Sequence, residues 1–326
     1  MSKVTQSFLI CPSIDELIPE NHEYRKFLSL IDFEELCIEL KSSYSHLGRK
    51  GYEVSSGIKM LVLQWMHDLS DRELEKHIKF DISAKFLCGF GMTCKTPDHS
   101  YFGYLRERIG TIAIARIFNK IGKSLRSQGL VSDIFTFVDS TALVTKGALW
   151  KERDKAIANR EENLNNENVG NYASDKDARY GCKGKFKYWF GYKNHSAVDM
   201  KHGFITKTAA TAANVSDAKG LKHVCPKQGA VVADKGYCTK PAQKTIKANG
   251  CHDMTIKNNN MKIKNKYKDN FISRLRSPYE NVFSKMQKRA RYKTIKKVQF
   301  QCFMEAITFN IKRLVSINAP PLEFAI

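Results

Sequence analysis

The sequence predicts an α/β protein in which an all-helical segment precedes a domain built on a mixed sheet flanked by helices. Before Gly129 the apolar residues recur at helical spacing, and after it short apolar runs bounded by turn residues alternate with helical stretches. Length is the third observation. At 326 residues the chain exceeds one typical core of roughly 100–200 residues, so two packed units are expected, at 1–130 and 131–326.

In the first part, residues 54–68 carry apolar spacing near 3.6. Ser70 and Glu73 form a capping-box pattern that opens a helix running through Ile78. A further helix follows Thr96-Pro97, and residues 112–126 form an amphipathic helix closed near Gly129. Short helices joined by turns make either a helix-turn-helix reader of DNA or a plain helical bundle, and the pattern does not choose between them.

In the second part, residues 134–138 are a short apolar strand. Residues 188–198 and 204–211 flank the turn Asp199-Met200-Lys201-His202-Gly203 as a hairpin, and residues 230–233 are a buried strand. A helix over 239–248, a strand over 252–256 and a helix over 278–292 follow. The resulting order of strand, hairpin, helix, strand, helix, strand, helix is the connectivity expected of an RNase H-like α/β domain. Residues 151–180 are polar, Asn-rich and without apolar periodicity, which reads as a mobile loop or insertion within about 145–185. No internal repeat is present.

A formal net charge of +21 points to a polyanionic partner, nucleic acid before an anionic membrane surface. The most apolar stretch, 58–66, is short and interrupted by Lys59 and Gln64, so no membrane association is expected. The first residues lack a basic n-region followed by a long apolar core, so export is not expected either. Nine scattered cysteines without a CxxC pair suit reduced thiols, and Cys225, Cys238 and Cys251 are too widely spaced for a zinc site. The positive charge is concentrated late in the chain, with 20 Lys and Arg against 4 Asp and Glu between Lys235 and Arg313.

Against that basic background a few acids stand out. Asp139 follows the first strand and Asp234 follows the strand at 230–233, so both fall at carboxyl ends of strands, where open α/β sheets build their sites. A single such Asp is as readily a turn former or helix cap. Glu280 stands three residues after Ser277 with Pro278 between them, a capping box whose carboxylate can also point into a cleft. Three such carboxylates have a joint purpose if they bind Mg²⁺ or Mn²⁺ through oxygen ligands. Two ions about 3.5–4 Å apart would promote in-line displacement at phosphorus. Arg274, Arg276, Lys285, Lys288, Arg289 and Arg291, around Glu280 where basic C-terminal helices at 277–316 begin, would grip DNA phosphates or else form a solvated helix face.

Five stretches resemble one family over nearly the whole chain. They are GRKGYEVSSGIKMLVLQWMHDLSDRELEKHI (48–78), TPDHSYFGYLRERI (96–109), FVDSTAL around Asp139, GYKNHSAVDMKHGFITKTAATAANVSDAKGL (191–221) and VVADKGY around Asp234. The chain resembles bacterial DDE transposases of the insertion-sequence-five group, within the broader insertion-sequence-four superfamily. That family's third acid lies in a signature of Tyr, two residues, Arg, three residues, Glu, six residues, Lys. Arg276 and Glu280 fit it, whereas Ser273 stands at the Tyr position and Gln287 at the Lys position.

The resemblance implies that Asp139, Asp234 and Glu280 are catalytic metal ligands for Mg²⁺ or Mn²⁺. It further implies a cytoplasmic, nucleoid-associated enzyme that binds the terminal inverted repeats of its own element as a homodimer, cuts there, and joins the 3′-hydroxyl ends to target DNA. His195 and Asp199 read as a structural strand histidine and a hairpin-turn acid, and Asn214 and Asp217 as caps of the next helix. Two other readings remain: a nuclease without strand transfer, and a catalytically inactive DNA-binding protein derived from a transposase.

Overall fold

The computed structural model describes residues 13–41, 51–145, 173–183, 187–258 and 265–324, with single positions at 158, 166, 169 and 261. The chain divides into two compact units, one running to Gly110 and including Leu314–Phe324, the other spanning Thr111–Arg313.

Among the described residues the first unit is helical: α1 (Ile14–Leu17), α2 (Glu23–Leu30), α3 (Phe33–Leu36), α4 (Ile38–Lys41), α5 (Val54–Met66), α6 (Asp71–Phe80) and α7 (Ile82–Cys88). The dense apolar pattern of α5 reflects burial on almost every side, with Ile58, Met60, Leu61 and Leu63 all in the core. The expected capping box forms at α6. Ser70 Oγ accepts from the Glu73 amide at 3.3 Å, and Glu73 Oε2 accepts from the Ser70 amide at 2.8 Å. Asp71 on the first turn of α6 receives Arg106 through two bonds of 2.8 and 2.6 Å.

Helix α8 (His99–Ser127) is interrupted at Gly110, whose φ of 70° and ψ of 168° lie outside the helical region. Only glycine takes that conformation cheaply. The helix expected at 112–126 therefore belongs with the sheet unit, and the packed units part some twenty residues before position 130.

The second unit holds one sheet of β1 (Phe135–Val144), β2 (Arg179–Lys183), β3 (Lys187–Asp199), β4 (Ile205–Ala212), β5 (Ala230–Ala233) and β6 (His252–Thr255). One edge of β3 pairs antiparallel with β1, while its other edge takes β2 over residues 187–191 and β4 over 192–198. Strands β1, β5 and β6 run parallel. The sheet is therefore mixed, as expected, and the hairpin and the strand at 230–233 lie where the sequence places them.

Alternation along β1 sorts the two faces. Val138 packs with Leu221 and Val224 of α9 (Asp217–Val224) and with Ala242 and Ile246 of α10 (Lys240–Ala248). Phe137, on the opposite face, meets Phe283 of α11 (Lys266–Ser284) edge-on at 5.2 Å. Leu143 on that same face packs with Val298 and Cys302 of α12 (Ile295–Ser316). No described helix is long and apolar enough to cross a membrane.

Three expectations are corrected. First, the strand expected at 134–138 continues to Val144, because β3 pairs with it residue by residue through Val144↔Gly191. Second, of the insertion expected within 145–185, residues 146–157, 159–165, 167–168, 170–172 and 184–185 lie outside the described residues, but 179–183 form β2. Buried Asp175 accepts a 2.7 Å bond from the Tyr192 hydroxyl and fastens that stretch to β3. Third, the helix expected at 278–292 begins at Lys266, with Asn265 as its cap, encloses Pro278 and ends at Ser284. Basic residues 285–294 do not continue it, because their backbone is tied to the end of β1: Val144 donates to the Lys288 carbonyl and Ala290 donates to that of Val144, both at 2.9 Å.

Asp199 holds the β3–β4 hairpin as a turn acid. One carboxylate oxygen accepts from the Ser132 amide at 2.8 Å, the other from the Lys201 and His202 amides at 3.0 and 2.8 Å. The side chain is buried, so its removal orphans three amides. Asp199→Ala is expected to cost roughly 2–4 kcal/mol in urea unfolding. A loss under about 0.5 kcal/mol would show that solvent satisfies those amides instead.

Candidate active site

The parallel register places Val138 beside Ala233, so the two residues that follow, Asp139 and Asp234, stand at the same level of the sheet. Strand β5 stops there. The Asp234 carboxylate accepts from the Gly236 amide at 2.9 Å and caps a 3₁₀ turn over Lys235–Tyr237, which turns the chain out of the sheet. Strand β1 continues, leaving its β5 edge without a neighbour from Asp139 until Val144, where the backbone of 288–290 pairs with it. Asp139 thus lies inside a strand and not after one, yet still at the end of its parallel pairing.

Asp139 is partly buried and accepts from the Ser140 amide at 2.8 Å. Burial pushes its carboxyl up to about 6; the Ser140 hydrogen bond opposes this, the charges of Asp217 and Asp234 add to it, and Arg276 counteracts. Asp139 shares the Phe137 face of β1, the face on which α11 packs. The Arg276 guanidinium lies 5.9 Å from the centre of the Phe137 ring.

Glu280, also on α11, does not cap a helix start, because the helix begins at Lys266, nearly four turns earlier. Its Oε1 accepts from Arg276 Nη2 at 2.7 Å and Nε at 3.1 Å, and its side chain is 52% exposed. The structure thus brings Asp139 and Asp234 together and turns Glu280 to Arg276. Among the described residues no group of three or more His, Cys, Asp or Glu side chains converges as a metal site. Of the basic residues singled out in the sequence, Arg274, Lys285, Lys288 and Arg289 are exposed, whereas Arg291 donates to Gln287 Oε1 at 3.2 Å.

The sequence reading missed a third acid at this place. Ser216, not Asp217, caps α9. Asp217 Oδ1 instead accepts from the Ser140 hydroxyl at 2.7 Å and from Lys193 Nζ at 2.9 Å. Burial alone would raise the Asp217 carboxyl, but the charge and hydrogen bond of Lys193, with the Ser140 bond, hold it below its ordinary range. A signal was present, since Lys193, His195 and Ala197 share one face of β3. His195 Nε2 meets Thr211 Oγ1 at 2.9 Å, and a Cβ on Gly220 of α9 would collide with its ring. Burial pushes this imidazole below its usual range, so it is neutral at pH 7 and structural, as expected.

The donor set suits a hard divalent cation. It offers carboxylate oxygens alone, and a positive charge among them would offset the burial and the neighbouring negative charges that raise the Asp139 carboxyl. Without such a charge the sign of the linkage is fixed. A carboxyl raised in the folded state stabilises the fold below its unfolded value near 4, and that contribution is lost as pH rises through about 6. In chelator, Asp139→Asn is therefore expected to raise Tm by roughly 5 °C at pH 7.5 and to leave it unchanged at pH 4. Equal shifts at both pH values would refute the raised carboxyl.

Comparison with known proteins bears on what this arrangement serves. Residues 132–311 match the transposase DDE domain, and residues 12–108 match a transposase domain (DUF772). A solved piggyBac transposase synaptic complex with hairpin DNA aligns over 92% of this chain and 77% of that one, with a TM-score of 0.37 and 10% identity, too loose a likeness to bear on the fold. The DDE match contains Asp139, Asp234 and Glu280 and spans more than half of the chain, and the protein therefore belongs to the DDE-domain transposases.

Proposed function

We propose that this transposase binds the terminal inverted repeats of its own insertion sequence as a homodimer, hydrolyses phosphodiester bonds there, and transfers the freed 3′-hydroxyls to target DNA. The observation that carries the reading is the placement of Asp139 and Asp234 side by side where β5 ends and β1 continues. The sheet path β3-β1-β5-β6, with β2 and β4 both on the outer edge of β3 and only β3 antiparallel to β1 among the strands flanking it, supports an RNase H-like catalytic domain. The long block at 191–221 supports the insertion-sequence-five group. The helical first unit is assigned to end recognition and the exposed Arg274, Lys285, Lys288 and Arg289 to phosphate contacts.

Asp139, Asp234 and Glu280 would hold Mg²⁺ or Mn²⁺, which when bound supplies Lewis-acid activation of the attacking oxygen and stabilisation of the departing one. Glu280 has to leave Arg276 to join the aspartates. An i, i+4 ion pair with one partner half exposed is worth only about 0.3–0.5 kcal/mol, so a rotamer change is cheap. Arg276 is then free to face a DNA phosphate from its seat above Phe137. The pairing seen here, with Ser273 and Gln287 at the signature's Tyr and Lys positions, favours the alternative of a DNA-binding protein without catalysis.

On DNA carrying the element's ends, cleavage is expected with Mg²⁺ or Mn²⁺ and is lost in EDTA. Asp139→Ala and Asp234→Ala should lower it at least about 10³-fold while metal-free DNA binding is kept or slightly tightened, since each removes negative charge near a polyanion. Glu280→Gln should fall comparably. Were Glu280→Gln to cut like the parent, Glu280 would be only the partner of Arg276. A parent that binds the ends yet cuts with no divalent metal would establish the binding-protein reading.

A further inference from the structure

Ser140 and Asp139 are successive residues of β1 and so address opposite faces of the sheet. Asp139 lies on the α11 side with Phe137, while Ser140 reaches the α9 side, where Asp217 begins the helix. The contacts run in a line through the sheet: Lys193 Nζ donates to Asp217 Oδ1, the Ser140 hydroxyl donates to the same oxygen, and the Ser140 amide donates to Asp139 Oδ1. Lys193 is mostly buried, and its ammonium is 5.7 Å from the Trp189 ring centre, so the far end of the line is itself fixed.

The buried Tyr237 ring packs on this same side, with Val138 and Leu221. Its hydroxyl is buried near Ser140, with the residue only 1% exposed.

We propose that Asp217 is a positioning residue of the active site: through Ser140 it fixes the orientation of the Asp139 carboxylate from behind the sheet. Lys193 serves it by keeping Asp217 ionised and in place. Asp217 touches neither DNA nor the reacting atoms, and it acts on cation affinity as outer hydrogen-bond partners of metal ligands do, by about 10–100-fold. The proposal rests on the reading of Asp139 as a metal ligand.

Binding of Mn²⁺ alone to the full chain, followed by electron paramagnetic resonance, tests it. The parent should bind Mn²⁺ and Asp139→Ala should not. Ser140→Ala and Asp217→Ala should each weaken binding about tenfold, and the double variant no further, because both break the same line. The Mg²⁺ concentration for half-maximal cleavage should rise by the same factor. Ser140→Ala removes a single hydroxyl and guards against the chance that Asp217→Ala unseats α9. Unchanged Mn²⁺ affinity in both, with a lower Tm for Asp217→Ala alone, would make Asp217 a helix anchor and overturn the proposal. So would multiplied losses in the double variant. If the parent binds no Mn²⁺, the metal-ligand reading fails and this inference with it. If Asp139→Ala abolishes binding while the other two leave it intact, this inference alone fails.

Discussion

The site depends on the unequal lengths of two parallel neighbours. Strand β5 has four residues and β1 has ten, and their pairing ends at Val138↔Ala233. The shorter strand ends because Asp234 spends its carboxylate on the Gly236 amide, which starts the 3₁₀ turn. The longer one persists because β3 continues to pair with it through Val144. A notch opens where one edge of β1 loses its neighbour while the other stays held. Both aspartates stand at that notch, on backbone that the sheet makes stiff, as a site needing fixed geometry requires.

From that constraint the division of labour between the two faces follows. Odd-numbered positions of β1 meet α11 and α12, and even-numbered ones meet α9 and α10. The helix bearing Glu280 and Arg276 therefore approaches on the face of Asp139, and the helix bearing Asp217 on the face of Ser140. Gly220 lets α9 come close enough for this, since any side chain there would run into His195. The close packing of α9 on β3 thus sets where Asp217 stands relative to Ser140.

Much of this was legible where local chemistry and tertiary structure agree. The hairpin around Asp199, the strand at 230–233 and the capping box of α6 have turn or cap residues that satisfy the backbone by themselves. The reading went astray where two local signals competed. Ser277-Pro278-Tyr279-Glu280 has all the marks of a helix start, but Asn265 already caps the helix that runs through it, and Glu280 bonds to Arg276 one turn back. Asp217 has the place of a cap because it opens a helix, yet Ser216 fills that role and frees the carboxylate for a partner 77 residues away in sequence. The stretch 285–294 is held to β1 by pairing of its backbone with Val144, which no side-chain pattern announces.

The charge distribution has one more consequence. Charge beyond a Debye length of about 8–10 Å is screened, so the positive stretch between Lys235 and Arg313 attracts DNA to the surface while the acids act only at contact. Asp139 feels the negative charges of both Asp217 and Asp234, and among the described residues Asp217 has a lysine bound to it. A bare phosphate entering the notch would meet that same repulsion. In the proposed reading, basic residues can therefore hold DNA without engaging it in the chemistry, and the step from holding to cutting requires positive charge between phosphate and aspartates. Arg276 can bring part of that charge once Glu280 releases it, which makes the Arg276–Glu280 pair the point at which DNA grip and the acid site are coupled.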